Sequence, residues 1–361
     1  MAQRIPDVRA QMQQRGLDAL LITHPSNRFY LSGFTAGDIA PNESAGCLLI
    51  TGEQSFLIVS GTNENQARAQ ATGYQIVRRG RRLEETLAEL LRDASVQRLG
   101  FEENALLVAT YRALEQETGG AVEFVPVGEL VSDLRLVKSE DELAKIARAV
   151  AITDAAFTAV ARAMRPDQTE RAVAWALERA MREGGAEALA FPVIVAAGAH
   201  GAFAHHEPTD DPVGTGLPIT IDMGAQVDGY AADLTRTVIL GEPTARARTV
   251  YQTVLRAVEA AEHGIRAGMT GEAADALARD VIGAAGYGEY FGHGLGHGVG
   301  VRVHEAPSAA AGVETPLPAG ATLTIEPGIY IPDWGGVRIE DLVVVEETGV
   351  RVLSQAPKQT V

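Results

Sequence analysis

Pro218-Ile-Thr-Ile-Asp222-Met-Gly-Ala-Gln-Val-Asp228-Gly229-Tyr-Ala-Ala-Asp233-Leu-Thr-Arg-Thr-Val-Ile-Leu240 reads as a single β-hairpin. Two apolar or β-branched runs, Pro218–Gly224 and Tyr230–Leu240, flank an Asp-Gly pair, the dipeptide that most readily takes up a tight turn. The two carboxylates, Asp222 and Asp233, do not fit an ordinary hairpin. A carboxylate in a buried strand is expensive unless it is paired or bound to a cation. Closing the hairpin brings both acids together across the ladder. The pattern recurs downstream, where Leu323-Thr-Ile-Glu326-Pro-Gly and Val337-Arg-Ile-Glu340-Asp-Leu-Val-Val-Val are joined through Pro332-Asp-Trp-Gly-Gly336. One such acid is explained by an edge strand or an arginine partner, and Arg236 and Arg338 are at hand. Four acids in two hairpins point instead to a shared cation site.

The histidines support this reading. Seven of the eight lie beyond residue 199. His293 and His297 sit in Gly292-His-Gly-Leu-Gly-His-Gly-Val-Gly300, with His304-Glu305 just after it. Glycines permit close backbone approach and so suit a segment that presents imidazoles to a ligand. Four carboxylates with one or more imidazoles form a hard, oxygen-rich set suited to Mn²⁺, Co²⁺ or Zn²⁺. Their charge balances two divalent ions, and a pair of ions activates water for hydrolysis. The spacing therefore predicts a dinuclear metallohydrolase. No H-E-x-x-H, G-x-S-x-G, Walker lysine or intact G-x-G-x-x-G competes with it.

The chain has 361 residues, 46% hydrophobic and 22% charged, which is enough for two domains that each bury a core. Up to residue 132 short strand-like runs (Leu17–Thr23, Cys47–Thr51, Phe56–Ser60, Tyr74–Val77, Arg98–Phe101) alternate with helical spacing (Asn63–Ala71, Leu83–Leu91, Leu106–Glu117), an α/β domain. From residue 133 the order is helices first and antiparallel strands later, an α+β domain running to residue 361. Ser139-Glu-Asp-Glu142 opens it with a capping box before a helix from Glu140 to Met164, and a second helix spans about Thr169 to Glu183. Further helices are expected near 244–263 and 271–284, and strands at Val299–His304, Thr322–Ile331 and Gly336–Val345. No internal repeat stands out. The single cysteine, Cys47, excludes an internal disulfide and a thiolate metal cluster. A net charge of −16 disfavours nucleic acid and anionic lipid. The N-terminal residues carry no apolar signal-peptide core, and the longest mostly apolar run, Ala188–Ala199, is too short to span a bilayer, so a cytoplasmic protein is expected.

Five stretches resemble the pita-bread metallopeptidases, specifically the Xaa-Pro peptidases prolidase and aminopeptidase P. They are Ile221-Asp-Met-Gly with Asp233-Leu-Thr-Arg-Thr, His293-Gly-Leu-Gly-His-Gly-Val-Gly, Val303-His-Glu, Thr324-Ile-Glu-Pro-Gly-Ile-Tyr330 and Val337-Arg-Ile-Glu-Asp341. A weaker match, Pro25-Ser-Asn-Arg-Phe-Tyr-Leu-Ser-Gly33, extends the likeness to the first domain. The resemblance implies a curved antiparallel sheet holding two divalent ions through Asp222, Asp233, His297, Glu326 and Glu340, with Asp233 and Glu340 bridging. It implies that His205 contacts substrate and assists proton transfer, and that His304 binds the substrate carbonyl or carboxylate. It places His293 in the wall of the proline-side pocket, makes Arg338 the orienter of the acids and gives Glu326 a proton-shuttle role. It also implies a homodimer acting on short proline-containing peptides.

The sequence departs from that family pattern at three places. Ala204 stands before His205 where relatives often carry proline. Ser308 occupies a position where several compact prolidases carry an arginine able to hold a dipeptide's carboxylate as a bidentate pair. The segment Thr35–Ser44 is longer than the matching hairpin and offers Asp38 or Glu43 to a substrate's amino terminus. A prolidase-type dipeptidase is the favoured activity. The alternatives are an aminopeptidase P acting on longer peptides, a dipeptidase of altered specificity, a metal-free creatinase-like enzyme, and a non-catalytic binding module. The last two need not retain five ligands, and all five residues are present.

Overall fold

A computed structural model describes residues 4–38, 40 and 42–361. Ile39 and Pro41 of the 35–44 segment lie outside the described residues. The chain divides into two compact units, Met1–Arg135 and Leu136–Val361.

The first unit is a mixed sheet with helices. Its strands are β1 (Ala19–Ile22), β2 (Gly46–Thr51), β3 (Ser55–Val59), β4 (Gln75–Arg78), β5 (Arg98–Phe101) and β6 (Glu123–Pro126), in the order β4-β3-β2-β1-β5-β6. β1–β2 and β2–β3 are antiparallel and the remaining pairs parallel. The helices are α1 (Arg4–Gln14), α2 (Pro25–Ser32), α3 (Glu64–Gln70), α4 (Leu83–Asp93), α5 (Val108–Thr118) and α6 (Leu130–Leu134). Central strands β1, β2 and β3 are buried throughout, as their unbroken apolar runs require. α2, which periodicity did not signal, is fixed at its ends. Pro25 sits in its first turn, His24 accepts from the Ser26 N–H, and Gly33 closes it in the left-handed region.

The second unit opens with α7 (Glu140–Ala163), where Ser139 and Glu142 form the capping box read from the sequence. It continues through α8 (Glu170–Glu183), β7 (Ala188–Leu189), β8 (Ile194–Ala197), β9 (Ile219–Met223), β10 (Ala225–Val227), β11 (Tyr230–Ala231) and β12 (Leu234–Val238). The same order of a helix pair followed by strands then repeats: α9 (Ala245–Gly264), α10 (Gly271–Ala284), β13 (Gly296–Gly298), β14 (Glu305–Ala309), β15 (Thr322–Ile325), β16 (Gly328–Ile331), β17 (Gly335–Arg338), β18 (Asp341–Glu346) and β19 (Gly349–Val352). One core packs α7 and α8 residues such as Phe157 and Leu177 on Ile219, Ile221 and Leu234; the other packs α9 and α10 residues such as Val254 and Ala278 on Leu323, Ile325 and Val343. The expected strand Val299–His304 is not formed. Those residues are an irregular connection between β13 and β14, because pairing His297 with Ser308 uses the intervening chain to turn. Among the described residues no helix is long and apolar enough to cross a membrane.

The two expected hairpins form, but each ladder breaks once. β10 and β11 meet at Val227↔Tyr230, leaving Asp228 and Gly229 at φ 50° and 76° in the turn. β9 and β12 pair Asp222 with Thr235 and Met223 with Leu234, in the same register as β10 and β11. The break between them falls at Gly224 opposite Asp233. In the second hairpin Ile325 faces Asp341 and Gly328 faces Arg338, so the break sets Glu326 against Glu340.

Candidate metal centre

Three of the four hairpin acids stand at the ladder breaks, where the local backbone leaves the sheet and frees the side chain to turn toward its neighbours. Asp222, the fourth, projects from β9 at the second pair from the break. Asp222, Asp233 and Glu340 each offer a carboxylate oxygen within 4.8 Å of the others. His297 Nε2 lies 3.1 Å from Glu326 Oε1 and 3.8 Å from Asp233 Oδ2. The five expected ligands therefore form one contiguous cluster.

Each arm of the cluster is aimed by the protein. Arg338, buried on β17, donates to Asp222 Oδ2 at 2.7 Å and through Nε to Thr235 Oγ1 at 3.0 Å. The Thr235 hydroxyl in turn donates to Glu340 Oε2 at 2.8 Å. The inner oxygens of both acids, Asp222 Oδ1 and Glu340 Oε1, are buried without a hydrogen-bond partner among the described residues. Outer oxygens held by donors and inner ones left bare are what a cation site requires, since an unsatisfied buried carboxylate is costly. His297 Nδ1 donates to the Gly298 carbonyl at 3.2 Å, which leaves Nε2 to face the acids. β13 carries this histidine tightly against its neighbours: a Cβ on Gly296 would stand 1.9 Å from the Thr324 carbonyl oxygen, and one on Gly298 2.1 Å from that of Ala306. These glycines serve close approach rather than unusual backbone angles.

The electrostatics agree with the geometry. Burial, reinforced by Glu340 and Asp222, pushes the Asp233 carboxyl well above its ordinary range, and burial with Glu326 and Asp222 does the same to Glu340. Asp222 is raised by burial, against the opposing pull of Arg338. Glu326 is lowered, because the His297 hydrogen bond and charge outweigh its own desolvation. The reciprocal effect raises His297 against its burial. Without a cation the cluster is an assembly of mutually repelling acids, and a divalent ion relieves each of these penalties.

The cluster forms part of the lining of a cavity of about 570 Å³, within the roughly 300–1,000 Å³ of small-ligand sites. His205, His304, His293 and Ser308 line it as well. Phe191, Pro192, Val193, Ile194, Val303 and Ala310 supply apolar surface. His304 packs edge-on to His297, with centroids 4.3 Å apart; partial desolvation of its ring there and the His297 charge lower its pKa. His293 has no ring nitrogen to spare. Nδ1 donates to the Gly294 carbonyl at 2.7 Å, so Nε2 accepts from the Tyr330 hydroxyl at 2.8 Å, whose oxygen accepts from Arg338 at 2.9 Å. His293 is thus a wall. Tyr330 and Thr235 stood inside the motifs yet received no role, because their part depends on cross-strand geometry.

Asp38 does not line this cavity. It belongs to the first unit, where its carboxylate accepts from the buried Arg28 at 2.9 Å and from the Ala45 N–H at 2.7 Å, so an internal partner already accounts for it. Arg236 likewise takes none of the four acids, pairing instead with Asp341 at 2.7 Å.

Comparison with known proteins converges on one family. The model of Metallopeptidase family M24 matches residues 144–347, and that of the Creatinase/Prolidase N-terminal domain matches residues 4–137. A Xaa-Pro dipeptidase of Pyrococcus horikoshii is 34% identical over 100% of this chain and 99% of its own. Among solved structures, a Xaa-Pro dipeptidase from Bacillus anthracis superposes with a TM-score of 0.93 at 38% identity, covering 100% of this chain and 99% of the other. An X-Pro aminopeptidase from Thermotoga maritima superposes with a TM-score of 0.87 at 34% identity, covering 97% and 99%. The second unit has the pita-bread fold, and with its creatinase/prolidase-type N-terminal domain the chain belongs to metallopeptidase family M24.

Proposed function

We propose that the protein is a prolidase-type enzyme that hydrolyses Xaa-Pro dipeptides, using two divalent ions held by Asp222, Asp233, His297, Glu326 and Glu340. The observation that carries this reading is the cluster itself: five convergent donors, with the inner oxygens of Asp222 and Glu340 bare in a short-peptide-sized cavity. Full-length similarity to Xaa-Pro dipeptidases supports the substrate class. Bound divalent ions supply Lewis-acid polarisation and a water of lowered pKa, and the oxygen-rich set suits manganese, cobalt or zinc.

The chain's own residues supply the rest. His205 and His304, both exposed and lining the cavity, contact substrate near the scissile bond, and His205 assists proton transfer there. Glu326, kept ionised by His297, serves as a proton acceptor. Arg338 holds Asp222 in place, and His293, fixed by Tyr330, shapes the pocket wall for the proline ring. The homodimer and the cytoplasmic setting implied by the family resemblance belong to the same reading.

A second reading is an aminopeptidase P, favoured by one observation: Ser308, a neutral side chain, occupies the cavity wall where a carboxylate-binding cation would serve a dipeptidase. The deciding experiment measures bound metal, then compares hydrolysis of Ala-Pro, Leu-Pro, Ala-Pro-Ala and non-proline dipeptides before and after chelation, with light scattering for the dimer. Chelator-sensitive cleavage of Ala-Pro and Leu-Pro is expected. Cleavage confined to tripeptides and longer establishes the second reading, and activity that survives complete metal removal overturns both.

A further inference from the structure

Outside the metal cluster, Glu170 accepts five hydrogen bonds behind the rim of the cavity. It is the first residue of α8 and fully buried. Its Oε1 accepts from the Ala197 N–H at 2.8 Å and from His200 Nδ1 at 2.9 Å. Its Oε2 accepts from His206 Nε2 at 2.8 Å and from the Thr209 N–H and hydroxyl at 2.9 and 2.8 Å. The donors come from both legs of the chain that carries His205. Residues 197 and 200 precede it, and 206 and 209 follow it. The His200 and His206 rings stack at 4.4 Å, which closes the loop on itself. From the sheet, β17 packs its backbone against the loop at Gly201, where a Cβ would stand 2.7 Å from the Gly336 nitrogen, and Arg338 donates to the Ala204 carbonyl at 3.4 Å. Ala204 to Pro208 form one rim of the cavity.

We infer that Glu170 is a positioning residue for catalysis: one buried carboxylate gathers both legs of the 197–209 loop and thereby sets where His205 meets the substrate. The inference rests on the proposed role of His205. Five hydrogen bonds far exceed what capping α8 needs, since Thr169 already caps it by accepting from Ala172. The charge matters because an ionised carboxylate is acceptor-only and every one of its five partners donates. Glutamine cannot reproduce this. Whichever way its amide turns, the NH₂ meets a main-chain N–H, of Ala197 or of Thr209, that has no means of accepting. One leg is then released while the side-chain volume is kept.

The His2Glu set also resembles a cation site, with donor atoms mutually within 4.8 Å. Main-chain donors already occupy both carboxylate oxygens, and the imidazole nitrogens stand at hydrogen-bond distance, so a clamp of hydrogen bonds accounts for the geometry.

The test is a double-mutant cycle on the metal-loaded, full-length enzyme with Ala-Pro: wild type, Glu170→Gln, His205→Ala and the double variant, each with kcat, KM, metal per chain and melting temperature. His205→Ala is expected to cost roughly 10²–10⁴-fold in kcat. Glu170→Gln should cost about 10- to 100-fold in kcat, as a small misplacement does, with metal content unchanged. The discriminating readout is coupling: in the His205→Ala background, Glu170→Gln should cost less than about twofold more. Thr209→Val removes one of the five bonds isosterically; should Glu170→Gln fail to fold, it replaces it in the cycle with a smaller loss and the same coupling. Losses that multiply in the double variant overturn the clamp while leaving the role of His205 intact. Full activity of His205→Ala overturns that role and the clamp with it. A third ion per chain that disappears in Glu170→Gln shows the cluster to be a metal site instead.

Discussion

At the scale of single residues, the site divides its carboxylate oxygens by function. Arg338 and Thr235 hold the outer oxygens of Asp222 and Glu340, which leaves the inner ones bare. His293 and Tyr330 show the same economy, each polar atom spent on a neighbour. Ser308 is the exception: it faces the cavity with only a hydroxyl, which as one neutral hydrogen bond contributes roughly 0.5–1.5 kcal/mol. Arginine there would offer a bidentate charged pair to a dipeptide's carboxylate. Ser308→Arg is therefore expected to raise the ratio of kcat/KM for Ala-Pro over Ala-Pro-Ala by at least about tenfold, the effect of one charged hydrogen bond. An unchanged ratio would remove position 308 from the specificity determinants.

At the scale of elements, the decisive features are breaks. Had the hairpin ladders run on, Asp233, Glu326 and Glu340 would stand in regular strands, alternating faces with their neighbours. Breaking each ladder once releases them toward a common centre, and β13 brings His297 in through glycine-to-backbone contact. Gly296→Ala places a methyl against the Thr324 carbonyl and should displace β13, at a cost of about 1–3 kcal/mol in stability. Metal affinity should suffer more than stability, because His297 is the neighbouring residue. Denaturant titration alongside metal analysis checks this; unaltered metal content would show that β13 has slack. The C-terminal segment is a second such device. Lys358 joins Glu262 at 3.1 Å and also pairs with Asp341, next to Glu340. Burial and Asp341 push the Glu262 carboxyl up to about 7. A folded-state pKa raised above the unfolded one contributes stability at acid pH that is lost as pH rises through about 7. Glu262→Gln should flatten the stability profile between roughly pH 5 and 8, read by melting temperature; a profile as steep as wild type's would place that titration elsewhere.

For the molecule as a whole, the cation and the fold are linked. Asp233 and Glu340 titrate above their unfolded values in the cation-free protein, so their contribution to stability is present at acid pH and lost toward neutrality. The melting temperature gained on adding metal should therefore grow from acid to neutral pH, with a gain of about 2.7 kcal/mol once free metal reaches a hundred times Kd. Asp233→Asn removes one of the repelling charges. It should raise the melting temperature of the chelated protein at pH 7 while abolishing most of the metal-dependent gain and lowering activity by orders of magnitude. Calorimetry in buffers of different ionisation enthalpy should show proton release on metal binding. A metal-dependent gain that is flat with pH would contradict this linkage.

Much of the fold was legible in local chemistry. Asp228-Gly229 marked a turn because two successive residues with positive φ have few other sequences, and Ser139 with Glu142 marked a helix start because a capping box needs no distant partner. The four hairpin acids stood out because carboxylates in apolar strands are a costly pattern that demands an explanation, and histidines among glycines marked the 292–304 stretch; the choice of His297 as the fifth ligand came from the family resemblance. What lay beyond sequence is whatever depends on contacts between distant segments. The ladder breaks, the repeated order of helix pair and hairpin, the irregular path of 299–304, the outer-oxygen donor Thr235, and the attachment of Asp38 to Arg28 all arise from which segments pack and in what register. So does the hold of Glu170, one glutamate among many on a helix, on the loop that carries His205. Periodicity reports the face a residue occupies, whereas a hydrogen bond between positions 27 to 116 residues apart is settled only when packing closes the chain upon itself.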